Sequence, residues 1–196
     1  MTADCSSGAT APEAHAALLH PRGARGGTVL ALSDGGRWRE IPVAVEDLPA
    51  AARSLAGCRD VYLAQNRFWG RRRTVNTVAQ LDAQWADLDY YRVPALADKH
   101  PCHVRDAALD ALEDEAIPAP SFSVATGRGL ALVWLHDPVP ARALPRWNAC
   151  QRRIHEALAG FGADANARDA ARVLRLGGTV HGQTGNVVEI ISPVGH

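Results

Sequence analysis

The sequence predicts a single mixed α/β (α+β) domain, on three observations. Two strand, glycine-turn, strand patterns stand apart in the chain, around Asp34-Gly35-Gly36 and around Thr126-Gly127-Arg128-Gly129. Helical periodicity appears between and after them, over residues 101–116 and again up to about Gly160. Finally, 196 residues that are 47% hydrophobic and 21% charged suffice for one sizeable core but are short for two.

Residues 1–27 are rich in Ala, Gly, Ser and Pro without a sustained period, and are expected to form a flexible, loosely docked arm before a domain over 28–196. Residues 28–33 and 38–45 read as a hairpin, 46–56 as a short helix presenting Leu48 and Leu55 to a sheet, and 60–64 as a strand. Next, Asn66-Arg67-Phe68-Trp69-Gly70-Arg71-Arg72-Arg73 mixes aromatics with arginines. Arg67, Trp69, Arg71, Arg72 and Arg73 are therefore candidate nucleic-acid contacts, on an alternative in which the loop is solvated and its aromatics pack inward.

A strand then ends in Trp85-Ala86-Asp87-Leu88-Asp89, before Arg92-Val93-Pro94 breaks it. Strand side chains alternate with period two, so Asp87 and Asp89 point to one face and offer hard oxygen ligands of the kind Mg²⁺ or Mn²⁺ prefers. Alone, Asp-x-Asp is weak, and partners further along the chain must supply its meaning. Residues 101–116 form a helix opened by Pro101, with Val104, Ala108, Leu109 and Leu112 on one stripe. Residues 121–125 and 130–134 make the second hairpin, and Pro140 or Pro145 opens a longer helix with Leu144, Trp147, Ile154 and Leu158 inward. Residues 164–176 read as a capped short helix stopped by Gly177-Gly178, and 187–191 as the last strand.

Composition excludes several classes. The formal net charge is zero, which argues against a uniformly basic coat, and with Lys99 the sole lysine, arginine supplies nearly all the positive charge. Cys5, Cys58, Cys102 and Cys150 are scattered without a Cys-x-x-Cys pair, so no zinc site or disulfide framework is indicated and a cytoplasmic setting fits. The N-terminus lacks a basic start followed by a long apolar stretch, so no secretion signal is expected, and no apolar run comes near the ~18 residues of a membrane span. His155-Glu156 lacks a second histidine at Ala159, which removes a zinc-protease reading.

Taken in order, Trp85-Ala86-Asp87-Leu88-Asp89, then Thr126-Gly127-Arg128-Gly129-Leu130-Ala131-Leu132-Val133-Trp134, then Asp164 with Asp169-Ala170-Ala171-Arg172-Val173-Leu174-Arg175-Leu176-Gly177-Gly178-Thr179 resemble the motifs of the archaeo-eukaryotic primase superfamily. More narrowly the set is similar to primase-polymerase domains of plasmid, phage and integrative-element replication proteins, over about residues 28–191. The resemblance implies a two-module core, one module an RNA-recognition-motif-like sheet, with the active site in the cleft between. It implies a DNA primase or primase-polymerase that makes primers on single-stranded DNA from NTPs or dNTPs for a mobile element, with a replicative helicase or another replication protein as partner. Asp87, Asp89 and Asp164 would be the catalytic, metal-binding acids of a two-metal Mg²⁺ or Mn²⁺ site. Thr126, Gly127, Arg128, Gly129, Arg172, Arg175 and His181 would face the nucleotide.

The sequence departs from the family pattern at Ala131, where a histidine is common, and at Gly177, His181 and Gln183, where proline, asparagine and lysine are usual. Arg128, Arg172, Arg175 and His181 are the residues placed to compensate. A nucleic-acid-binding replication module weakened by the lost histidine is the second reading. An Asp-x-Asp glycosyltransferase is a third, and it leaves the arginine motif unexplained.

Overall fold

The computed structural model describes residues 10–21 and 25–191. In chain order the elements are α1 (Pro12–Leu19), β1 (Gly27–Asp34), β2 (Arg37–Ala44), α2 (Leu48–Arg53), β3 (Val61–Ala64), β4 (Arg67–Phe68) and β5 (Val78–Leu88). There follow α3 (Pro101–Asp114), β6 (Phe122–Ala125), β7 (Leu130–Pro140), α4 (Leu144–Ala157), β8 (Val173–Arg175) and β9 (Glu189–Ile191). The strands join one antiparallel sheet in the order β8-β3-β1-β4-β5-β7-β6-β9, with β2 on the other edge of β1.

The sheet forks. β3 and β4 are two stretches of one path along β1, bent at Gln65-Asn66, and their outer edge carries β8 at Tyr62–Ala64 but β5 at Arg67–Phe68. β8 and β5 therefore diverge from a shared neighbour, leaving a cleft between them. Fully buried Asn66 holds the fork: its Oδ1 accepts the Asp82 N–H at 2.8 Å and its Nδ2 donates to the Ala170 carbonyl at 3.0 Å. Beside it, buried Arg67 is ion-paired with buried Asp82.

Between Arg67 and the bridge of Leu88 to Ala163, the edge of β5 facing the fork pairs with no strand among the described residues, and such an edge must find donors and acceptors elsewhere. α4 supplies them with side chains. Gln151 Oε1 accepts the Trp85 N–H at 3.3 Å while its Nε2 donates to the Trp85 carbonyl at 2.6 Å, and Trp147 Nε1 donates to the Ala83 carbonyl at 2.9 Å. The alternation of β5 and β7 sorts their apolar side chains between two cores. Ala83, Trp85, Ala131 and Val133 join Leu30, Leu63 and Leu174 under α1 and α2, whereas Ala86, Leu88, Leu130 and Leu132 pack on α3 and the end of α4.

Several expectations change. Residues 12–19, expected within a loose arm, form a docked helix: Ala16 and Leu19 are buried, His15 Nδ1 accepts the Gly177 N–H at 2.8 Å, and His20 Nε2–H donates to the Ala64 carbonyl at 2.7 Å. Burial pushes both imidazoles down to about 4, so they are neutral there at pH 7. Residues 1–9 of that stretch lie outside the described residues.

Residues 164–176 are not a helix but a 3₁₀ turn (Ala165–Arg168) followed by β8. Asp169 Oδ1 accepts the Ala171 N–H at 3.1 Å and closes a turn that stops helical propagation, after which Val173–Arg175 pairs with the open edge of β3. Phe68 is buried rather than presented to solvent. Cys58 and Cys150 are free thiols. Among the described residues no helix is long and apolar enough to cross a membrane.

Candidate active site in the cleft

β5 delivers Asp87 to the cleft, and the chain just beyond α4 returns to meet it. Asp89 N–H donates to the Gly162 carbonyl at 2.9 Å and Asp164 N–H to the Asp87 carbonyl at 2.8 Å, with Leu88 opposite Ala163. This is antiparallel pairing, and residues directly opposite share a face, so Asp164 stands across from Asp87 on the side that also bears Asp89. Gly162 makes the approach possible: it has φ +76°, and a Cβ there would lie 2.9 Å from the Asp89 carbonyl oxygen. The Asp164 carboxylate also accepts the Asn166 N–H at 2.9 Å, capping the 3₁₀ turn.

Carboxylates placed together in a partly closed cleft resist ionisation. Asp87, half-buried, is pushed up to about 7 by burial first and then by Asp89 and Asp164, with Arg172 and Arg175 pulling in the opposite direction. Arg172 is itself committed to Asp169 at 2.8 Å and to the Asn166 carbonyl. Arg175 is committed to Asp60 at 2.5 Å, with its guanidinium carbon 4.9 Å from the Tyr62 ring centroid. Among the described residues no three His, Cys, Asp or Glu side chains stand as a ready-made metal cage. The acids are hard oxygen donors, with Asp89 ion-paired to Arg92 at 3.3 Å, and oxygen donors are the chemistry that suits Mg²⁺ or Mn²⁺.

A cavity of about 480 Å³ opens over the acids, and Asp87, Asp89, Thr126, Arg128, Arg175 and His181 are among its walls, with Gly129 beside Thr126. The glycine turn is shaped by what packs on it. Thr126 Oγ1 accepts the Gly129 N–H at 3.0 Å, and Gly127, at φ +86°, sits where a Cβ would meet the His181 Cβ at 2.6 Å. His181 Nδ1 accepts N–H bonds from Gln183 at 3.2 Å and Thr184 at 3.3 Å, leaving its proton on Nε2. Burial and nearby Arg175 push its pKa down, which keeps it a neutral donor. Arg128 lies over Tyr91, 3.9 Å from the ring centroid, and donates to Gln183 Oε1 at 2.9 Å.

The predicted nucleotide-facing residues thus converge, with two differences. Gly127 lines a neighbouring cavity rather than this one, and Arg172 is not among the residues that line the cavity over the acids. The predicted nucleic-acid set does not converge. Arg67 is a buried ion-pair partner at the fork, a correction that follows from Asp82 standing two residues along β5 from Gln80, the residue opposite Arg67. Arg73 is half-buried on Glu40 and the Ala171 carbonyl, while Trp69, Arg71 and Arg72 remain exposed.

Asp60, Tyr62 and Tyr91 also line the cavity, and sequence reading passed over them. Asp60 binds Arg175 and accepts the Gly182 N–H at 2.9 Å, so it ties β8 to the following loop. Its partners lie far along the chain, and no spacing announces them.

No protein-family model matches the chain. A replication protein of Clostridium perfringens is 33% identical over 136 residues, 67% of this chain and 32% of the relative, so the chain spans about a third of the length of that relative. Among solved structures, the AEP domain of the cyanophage S-2L primase-polymerase aligns with a TM-score of 0.58 at 20% identity, over 92% of this chain and 88% of that one. The catalytic domain of primase RepB′ in complex with initiator DNA aligns with a TM-score of 0.57 at 11% identity, over 92% and 84%. A mixed fold with a large forked antiparallel sheet, acids at the end of its central strand and a sequence kinship to a replication protein lead to one conclusion: this chain carries the fold of the archaeo-eukaryotic primase-polymerase domain.

Proposed function

We propose that this domain is a template-directed, metal-dependent nucleotidyltransferase that makes primers on single-stranded DNA during replication of a mobile element. The observation that carries the reading is the backbone pairing that sets Asp164 opposite Asp87, beside a cavity whose walls include Asp87, Asp89, Arg175 and His181. The relative named a replication protein and the likeness to a primase bound to initiator DNA support the setting and the DNA partner.

Asp87 and Asp89, with Asp164 beside them, would hold Mg²⁺ or Mn²⁺. Divalent ions at such acids lower the pKa of an attacking hydroxyl and neutralise the leaving phosphates. The protein's own groups complete the site. His181 Nε2–H and Arg175 are fixed donors for phosphate oxygens, and Asp60 holds the Arg175 fork in place before substrate arrives. Arg128 lies over the Tyr91 ring in the cavity wall, where it can meet a phosphate or a base.

The deciding experiment is primer synthesis on single-stranded templates with labelled nucleotides and Mg²⁺ or Mn²⁺, comparing the natural chain with Asp87→Ala plus Asp89→Ala. Product from the natural chain alone is expected. Equal product, or none from either, overturns the enzyme reading.

One observation favours a weakened, binding-only module instead. Ala131 pairs with Asp87 yet is buried and offers no polar atom to the cleft, so this wall lacks the histidine common in the family. Absence of synthesis with retained DNA binding would establish that second reading.

A further inference from the structure

Beside the cleft, one face of the β2-β1-β3-β8 sheet carries an aromatic row that the site chemistry does not use. The register pairs Ser33 with Trp38, Ala31 with both Glu40 and Tyr62, and Tyr62 with Arg175, so Trp38, Glu40, Tyr62 and Arg175 share one face. On the opposite face Leu30, Leu63 and Leu174 enter the core. Trp38 is 47% exposed, its ring centroid 5.2 Å from that of Tyr62 at an interplanar angle of 45°. Tyr62 is half-buried, lines the cavity over Asp87, and carries the Arg175 guanidinium on its ring. The row leads from solvent into the candidate active site.

A single exposed tryptophan is ordinary. This one is held. Its Nε1–H donates to Glu40 Oε1 at 3.2 Å, and the same oxygen accepts Arg73 NH2 at 2.5 Å and Nε at 3.1 Å. Hydrogen bonds, rather than burial, fix the orientation of a large flat side chain facing water. Ordering such a chain gives up rotamer freedom, and its benefit comes when something flat lies on it. Planar rings in a row, ending at arginine on the cavity side, match the stacking platforms and phosphate-binding cations that hold unpaired nucleotides.

The geometry points to a stacking track for unpaired bases of the single-stranded DNA template, with Trp38 and Tyr62 as its platforms and Arg73, through Glu40, as the positioning residue for Trp38. This rests on the proposed template-directed function, and it assigns the route by which template reaches the acids.

The test is binding of the full chain to a fluorescein-labelled oligo(dT), measured by anisotropy beside an abasic strand of equal length that keeps the phosphates and lacks the bases. The natural chain should prefer oligo(dT). Trp38→Ala should weaken oligo(dT) binding about tenfold, leave abasic binding unchanged and so erase the preference, while Trp38→Phe retains it. The slope of affinity against salt should not change, because no phosphate contact is removed. Trp38 is exposed, and an unchanged melting temperature for Trp38→Ala verifies that the variant folds.

Equal affinity of Trp38→Ala and natural chain for oligo(dT) overturns the track. So does equal weakening on both strands. Failure here is distinct from failure of the enzyme reading: synthesis that depends on Asp87 and Asp89 with no effect of Trp38→Ala sinks only the track.

Discussion

Asp164 donates its backbone N–H to the carbonyl of Asp87 at 2.8 Å, and this single bond sets two acids from distant parts of the chain side by side. The pairing depends on Gly162, so Gly162→Ala should move residues 162–164 off β5. A side chain at positive φ pressed on a carbonyl costs about 1–3 kcal/mol, and the variant should melt several degrees lower and lose most primer synthesis. Asp164→Asn keeps the backbone bond and should retain stability while losing activity. Melting curves and primer assays on both variants separate register from charge.

The raised pKa of Asp87 gives a signed expectation. The carboxyl is harder to ionise in the folded protein than in the unfolded chain, so its contribution to stability is full below the ordinary carboxylate range and is lost as pH rises through about 7. Asp87→Asn should therefore raise the melting temperature in EDTA at about pH 8, on the order of 1 kcal/mol after solvent screening, and the gain should vanish by about pH 4. Mg²⁺ or Mn²⁺ should stabilise the natural chain at about pH 8 and do little for Asp87→Asn.

His15 and His20 act in the opposite sense. Burial depresses both to about 4, so the stability that they contribute is present above their ordinary pKa near 6.5 and is lost as pH falls through about 4. Denaturant titrations should show weakening on the order of 1–2 kcal/mol per histidine between about pH 7 and pH 5. His15→Gln should flatten that fall, at the expense of some stability at neutral pH.

The arginines between residues 67 and 73 should separate by role. Arg67→Ala strands buried Asp82 without a partner, and breaking a buried pair costs about 3–5 kcal/mol, so the variant should be close to unfolding. Arg71→Ala and Arg72→Ala remove exposed side chains and should stay within ~0.5 kcal/mol of the natural stability. If these two touch phosphate, each also lowers the salt dependence of DNA binding by about one counterion.

The hairpins, the long helices and the acids were legible because their signals are local. Alternation placed Asp87 and Asp89 together, and the turn at Gly127 and Gly129 declared itself by glycine content. What was illegible depends on contacts remote in the chain. Residues 164–176 look helical from their alanines and arginines, yet the open edge of β3 recruits Val173–Arg175 as a strand, and tertiary pairing overrides local propensity. Arg67 looked like an exposed cation because nothing nearby in sequence reveals Asp82 across the ladder. The N-terminal helix was hidden for a similar reason, since its eight residues gain their order from the core beneath them.

The bend at Gln65-Asn66 gives the forked strand the character of a gauge. One arm, through β8, sets where Arg175 stands, and the other, through β5, leads to where Asp87 stands. Because side chains alternate along a strand, inserting one residue at the bend would turn one arm over relative to the other. Asp87 and Arg175 would then no longer line one cavity even with every motif intact. The reach across the cleft is thus written into the length of a short connector, where none of the chemistry resides.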